Sequence, residues 1–165
     1  TWVNHHGHHG RESTRGLINP EQAENVLLTG VTDVWGPTDV YGIRELPEGC
    51  NVLLYGQVID GMKPDDLPLE GEKNNPMMPL AWTRTWKTPD GKECPIFCTT
   101  MGSSTDFESE GLRRLVVNAA LKMTGQDMQI SEEMSVDYVD DYNPTNFGFN
   151  SFRKGMTPRD YDLKN

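Results

Sequence analysis

Residues 95–125, PIFCTTMGSSTDFESEGLRRLVVNAALKMTG, limit the choice of fold more than any other stretch. The run Ile96-Phe97-Cys98 suits a buried strand. A turn of small residues follows at Gly102-Ser103-Ser104. Thr105 is placed to begin a helix, its hydroxyl accepting from the Glu108 N–H while Glu108 reaches back, the capping-box arrangement. Leu112, Leu115, Val116, Ala119, Ala120 and Met123 recur at helical spacing and give one apolar face. Arg113 and Arg114 then fall opposite that face, within reach of Glu110 or of the acidic segment beyond the helix. Gly125 supplies a left-handed stop. A strand that feeds a capped amphipathic helix through a polar turn is the repeating unit of layered α/β domains, so the expected fold class is α/β.

Two more strands read clearly. NVLLYGQVI, residues 51–59, is rich in β-branched and aromatic residues and is preceded by Gly49. LAWTRTW, residues 80–86, alternates with period two, so Trp82 and Trp86 share a face that is expected to pack beneath a helix. Thr88-Pro89-Asp90-Gly91 carries turn chemistry and predicts an antiparallel hairpin between 80–86 and 95–101. Residues 1–16 read as a loop. Pro20 to Leu28 reads as a short turn or helical piece ended by Gly30, and Val40-Tyr41 as a brief strand. Residues 60–79 hold too many prolines and glycines for regular structure, and loops of that length tend to be functional or partner-bound. Residues 127–165 read as an arm, acidic first and then aromatic (Phe147, Phe149, Phe152, Tyr161), which packs on the 1–126 domain or on a neighbour.

Composition sets further bounds. The 165 residues suffice for one domain, yet the hydrophobic fraction is only 35% and the mean hydropathy is −0.63. Solvated segments, or burial against a larger body, would account for that. The chain enters abruptly at Thr1, which reads as a processed or partial chain. A net charge of −10 repels phosphate backbones and argues against a nucleic-acid partner. No apolar run approaches membrane-spanning length, so membrane insertion is not expected. Cys50, Cys94 and Cys98 do not make a disulfide framework; free, buried thiols are the expectation.

All four histidines, His5, His6, His8 and His9, lie within five residues. Imidazoles are common ligands for zinc and similar divalent ions, and Glu12 is close enough in sequence to join them or to act on a bound water. Against this stand Gly7 and Gly10, which loosen the loop, and a spacing that fits no closed zinc site. Arg11, Glu12 and Arg15 sit among hydroxyls, a set suited either to a sugar, carboxylate or phosphate, or to tying a loop to a sheet edge. The 102–104 turn follows a strand, where open α/β sheets bind ligands. Asp106, Glu108 and Glu110 already complement the helix dipole there, so a neutral polyol fits better than an anion. Asp39 and Tyr41, with Trp35 nearby, have the make-up of a sugar platform, although Gly-Pro-Thr-Asp also reads as a plain turn.

Several stretches together are similar to a known family. MPLAWTRTWKTPDGKECPIFCTTMGSSTDFESEGLRRLVVNAALKMTG, HHGRESTRGLI, DVWGPTDVYGI, LYGQVIDGMKP and NPTNFGFNSFRKG resemble the ThuA-like (trehalose-utilisation) family, in particular a branch found in exported bacterial proteins. The resemblance implies a flavodoxin-like layered fold, akin to class I glutamine amidotransferases, of which this chain is the C-terminal part and the first parallel strands are missing. It also implies an association with disaccharide or keto-sugar metabolism and a periplasmic or secreted location. Gly102-Ser103 stands where many members have Gly-His, no His-x-Glu pair follows residues 95–101, and the amidotransferase nucleophile would lie upstream. An amidotransferase-type thiol mechanism is therefore not implied.

The sequence thus leads to two expectations. The first is a protein that binds or acts on a neutral sugar at a mouth formed by the 1–16 loop, the 36–42 turn and the 102–106 turn. There Arg11, Glu12, Arg15, Asp39, Tyr41, Ser103 and Asp106 would contact substrate, and His5, His6, His8 and His9 would hold a metal or transfer protons. The second is a non-catalytic assembly module that forms a homo-oligomer or meets a partner chain through residues 60–79 and 143–165.

Overall fold

The computed structural model describes residues 2–146, 148 and 154–162. Its strands are β1 (Trp2–His5), β2 (Ser13–Ile18), β3 (Trp35–Gly36), β4 (Tyr41–Ile43), β5 (Asn51–Ile59), β6 (Met78–Lys87) and β7 (Glu93–Thr99). One α-helix, α1 (Glu110–Met123), follows them, and short 3-10 turns punctuate the loops. Five strands make a curled sheet in the order β3-β2-β5-β6-β7, and β1 pairs with β4 in a second, two-stranded sheet. Every pairing is antiparallel. Register shifts where β5 meets β6 add twist at mid-sheet, which helps the sheet curl.

The expectation of a flavodoxin-like layered α/β fold is therefore overturned. That architecture needs parallel strands joined by crossover helices on both faces of the sheet. Here β7 does lead into α1, but β7 is the antiparallel edge partner of β6, and among the described residues a single α-helix covers the sheet. The strand-turn-helix pattern is local and carries no information on the direction of the neighbouring strand.

The hairpin forms because Thr88–Gly91 closes it. Gly91 takes φ +85°, its N–H reaches the Thr88 carbonyl, and the Thr88 N–H reaches the Lys92 carbonyl at 2.9 Å. Ile96, however, is 37% exposed, so β7 is an edge strand rather than a buried one. Phe97 pairs with Thr83 and packs on the core; alternation then turns Trp82 and Trp86 to the opposite face, where Trp86 is 45% exposed. The two tryptophans do share a face, but it is not the helix-covered one. Residues 1–16, read as a loop, contribute β1 and β2.

The core lies between the sheet and α1. Leu53, Leu54, Leu80 and Ala81 meet Leu112, Leu115 and Ala119, and Leu27, Leu28, Val31 and Val34 close one side. Fully burying each large side chain contributes about 1.5–3 kcal/mol. The helix starts later than its capping-box signal. Thr105 caps nothing, residues Asp106–Glu108 form a 3-10 turn, and Ser109 caps α1 by accepting from the Leu112 N–H. Ser109 also accepts from the Trp35 N–H and donates to the Asp33 carbonyl, so one hydroxyl joins the helix start to β3. Gly111 is required at this junction, since a Cβ there would collide with the Thr32 carbonyl oxygen.

Arg114 is buried, not opposite the apolar face as its position suggested. It donates to the carbonyls of Met134 (2.9 Å) and Ser131 and pairs with Glu110 at 3.2 Å. Arg113 donates to the Val136 carbonyl at 2.9 Å and lies 4.2 Å over the Tyr138 ring. The start of the arm is thus held to α1 through backbone carbonyls and an aromatic ring, with Val136 buried. Phe147, Phe149 and Phe152 lie outside the described residues, and Tyr161 is 70% exposed. Among the described residues no helix is long and apolar enough to cross a membrane. The three cysteines are free and half-buried.

Candidate functional site

Residues 36–41 are the meeting point. The histidine-bearing loop lies on one side of them: the His6 and Gly7 N–H groups both donate to the Val40 carbonyl, at 2.8 and 2.9 Å. The 102–106 turn lies on the other. Asp106 is fully buried and accepts from the Thr38 hydroxyl (2.8 and 2.9 Å to its two oxygens), the Thr38 N–H (3.3 Å), the Gly102 N–H (3.0 Å) and the Ser103 N–H (2.9 Å). Gly36 makes room for it, because a Cβ at that position would strike the Asp106 carboxylate and the Met101 methyl group. Thr14 donates its hydroxyl to the Thr38 carbonyl at 2.7 Å and fixes the segment to β2. Asp106, expected to contact substrate, is instead the pin that holds this turn against residues 36–38.

The β1–β4 pairing sets the reactive groups. His5 and Tyr41 are cross-strand partners, and their rings meet edge to face at 5.1 Å. His5 Nδ1 lies 2.6 Å from Asp39 Oδ2, and His9 Nδ1 lies 3.5 Å from the other Asp39 oxygen. The Asp39 side chain is only 2% exposed, while those of His5 and His9 are 56% and 72% exposed. A buried carboxylate on Nδ1 orients the ring and favours the tautomer with its proton on that nitrogen. Burial, reinforced by the negative charges of Asp39 and Asp106, pushes the Tyr41 hydroxyl above its ordinary value, so it stays protonated and can donate.

Beside this group opens a cleft of about 510 Å³, lined by Tyr41, Phe97, Thr99, Thr100, Met101, Gly102, Ser103, Phe107 and Val116. Among the described residues no charged side chain lines it. Its hydroxyl-bearing residues are Tyr41, Thr99, Thr100 and Ser103; the Thr99 and Thr100 hydroxyls also donate to the Met101 and Leu80 carbonyls, and Ser103 Oγ lies 3.3 Å from Thr105 Oγ1. Its largest apolar residues are Phe97 and Phe107. Tyr142 and Tyr138 stack on each other at 4.5 Å and donate to the carbonyls of Ser104 and Phe107, fastening the arm beside the rim.

Other predicted residues go elsewhere. His6 Nε2 meets the Lys73 carbonyl at 3.0 Å, and His8 Nδ1 lies 3.2 Å from the His9 carbonyl. Glu12 accepts from Lys73 Nζ (2.8 and 2.5 Å) and from the His8 N–H (2.6 Å), so it ties the loop to residues 72–74. The four imidazoles do not converge, and among the described residues no group of three or more His, Cys, Asp or Glu is gathered to hold a metal ion. Of the four, His5 and His9 turn to Asp39, and His6 and His8 turn to carbonyls. Arg15 binds the Pro64 and Asp66 carbonyls, Arg11 is exposed, and Trp35 donates to the Ser13 hydroxyl in a different cleft. Of the mouth as first drawn, Tyr41 and Ser103 line the cleft, and His5, with His9 and Asp39, adjoins it through the Tyr41 ring.

Lys73 carried no signal of its role, since it sits in a proline-rich loop without periodicity. Thr38 and Phe107 carried weak signals, inside a turn motif and a presumed helix start. Comparison of the chain with protein-family models, with curated proteins and with solved structures found no match.

Proposed function

We propose that this protein binds a neutral, hydroxylated small molecule of sugar size in the cleft between Tyr41, Ser103 and Phe107, with His5–Asp39 as an acid–base pair at its edge. The observation that carries this reading is the lining itself: four hydroxyl-bearing residues and two phenylalanine rings, with no charged side chain among the described residues. Hydroxyls can both donate to and accept from a polyol, and aromatic rings accept its C–H faces. A volume of about 510 Å³ lies within the usual range of roughly 300–1,000 Å³ for small-molecule sites. An anionic ligand is disfavoured by Asp39 and Asp106 and by the net charge of −10. The resemblance to the ThuA-like family points toward sugars as well, although the flavodoxin-like fold it implied is not the one adopted.

Calorimetric titration with D-glucose and trehalose tests the reading. Saturable binding that weakens about five- to tenfold in Tyr41→Phe or Ser103→Ala supports it, as expected for loss of one hydrogen bond contributing about 1 kcal/mol. The absence of saturation with either sugar at tens of millimolar contradicts it. His5→Ala separates binding from chemistry: affinity is retained, and any turnover of the bound sugar is lost.

A second reading has its own observation. Trp86 and Ile96 are exposed on the outer face of the β6–β7 hairpin, and β7 is a sheet edge. Such an edge suits assembly with another chain. Light scattering distinguishes the readings, since an assembly module is oligomeric and loses mass on Trp86→Lys.

A further inference from the structure

We propose that the hydroxyl-lined cleft takes a neutral glycoside with an apolar aglycone, the sugar ring lying at Tyr41, Ser103 and Phe107 and the aglycone on Phe97 and Val116. The inference rests on the reading of that cleft as a sugar site and adds the class of substrate.

The lining divides into two unlike parts. Tyr41 and Ser103 supply hydroxyls, the first kept protonated by burial and by the charges of Asp39 and Asp106. From Ser103 the wall runs back through Thr100 and Thr99 to Phe97 on β7, and Val116 joins it from α1. Thr99 and Thr100 make this second part polar in name only. The Thr99 hydroxyl donates to the Met101 carbonyl and accepts from the Met101 N–H, both at 3.1 Å. The Thr100 hydroxyl donates to the Leu80 carbonyl at 3.5 Å. Each has its single proton committed within the fold, so neither can donate to a ligand.

Phe97 and Val116 are the second observation. Both pack on the core between sheet and helix, yet both are only half-buried, and both border the cleft. The apolar stripe of α1 is sealed at Leu112 and Leu115, which are fully buried, and opens at Val116. Apolar surface left in a cleft stays wet until an apolar group covers it, and covering it is favourable.

Size and charge are the third. The volume of about 510 Å³ is well above the roughly 300 Å³ at which small-molecule sites begin, so a single sugar ring leaves room beside it. Among the described residues no charged side chain lines either part, which favours an occupant that is neutral at both ends. A bare sugar filling the cleft would press hydroxyls against Phe97 and Val116 without partners. A wholly apolar molecule would leave Tyr41 and Ser103 unanswered. A glycoside with an apolar aglycone matches both parts.

The test titrates the whole ¹⁵N-labelled chain with D-glucose and with methyl and phenyl D-glucopyranosides, both anomers of each glycoside. The methyl compounds control for substitution at the anomeric oxygen. The better phenyl anomer should bind about tenfold or more tighter than its methyl counterpart, the gain expected when part of an aromatic ring leaves water. Its additional shifts should fall on Phe97 and Val116. Val116→Ser should cut that advantage about threefold or more, whereas Val116→Leu, which keeps the apolar surface, should retain it. Three results overturn the inference while the sugar site stands: glucose binds but the phenyl group adds nothing, its extra shifts gather at Trp86 and Ile96 on the outer face, or Val116→Ser leaves the advantage intact. Absence of saturable binding by any of these compounds at tens of millimolar overturns the sugar reading itself, and this inference with it.

Discussion

Replacing Asp106 with asparagine puts the architecture of the site under direct strain. The Asp106 carboxylate is fully buried and receives three backbone N–H groups and one hydroxyl, from Thr38, Gly102 and Ser103. An amide can present only one oxygen. Its NH₂ group must then face either the Thr38 N–H or the Gly102 and Ser103 N–H groups, so one or two buried donors lose their acceptor. At about 1–3 kcal/mol per unsatisfied group, the substitution should cost roughly 2–4 kcal/mol. Alanine orphans every donor and should cost about 3–5 kcal/mol, a large share of the roughly 5–15 kcal/mol typical of a domain. Urea unfolding followed by tryptophan fluorescence measures this as a fall in midpoint at constant slope. The double variant Asp106→Asn/Thr38→Val should lose less than the sum of the two single changes, because the pair is coupled. A cost for Asp106→Asn within about 0.5 kcal/mol of zero would place Asp106 in solvent and remove the pin between the two turns.

Three further outcomes follow from the same geometry. Gly111→Ala should destabilise by more than about 1 kcal/mol despite alanine's better helix propensity, because its Cβ meets the Thr32 carbonyl; thermal melting reads this. Arg113→Met should release the arm, seen as faster limited proteolysis within residues 127–142, since Arg113 holds Val136 and Tyr138. Tyr41 and Tyr142 should both titrate late in an absorbance titration, and Tyr41→Phe should shrink that late step by one residue. As pH rises past the ordinary tyrosine value of 10.0, the unfolded chain loses this proton before the folded chain does, so this residue weakens folding above that pH.

Strands and turns were legible where the physics is local. Residues 51–59 and the Thr88–Gly91 hairpin read correctly because alternation, β-branching and turn residues act over a few positions. The layered α/β architecture did not, because strand direction is set by non-local pairing, and a strand followed by a helix looks the same in parallel and antiparallel sheets. The helix start was displaced for a similar reason. Thr105 and Glu108 form a valid capping pattern in isolation, yet the bonds from Asp106 to Thr38, Gly102 and Ser103 pull that turn out of the helix and pass the cap to Ser109. The histidine cluster was visible, and so was Asp39. What the sequence could not convey is that β1–β4 pairing gives two of the histidines to Asp39 and directs the other two to carbonyls. Arg15 and Trp35 looked like parts of the same mouth because one lies in the 1–16 segment and the other adjoins the 36–42 turn, but their ladder pairing places both in a different cleft.

Chemical-shift mapping of the ¹⁵N-labelled chain during addition of D-glucose and trehalose is the most direct measurement of the hydroxyl-lined cleft as a ligand site. Saturable changes at Tyr41, Thr99, Thr100, Ser103 and Phe107, with the Asp33 and Trp35 signals unmoved, are the predicted result. Shifts scattered over the surface without saturation, or shifts gathered anywhere but at these residues, would contradict it.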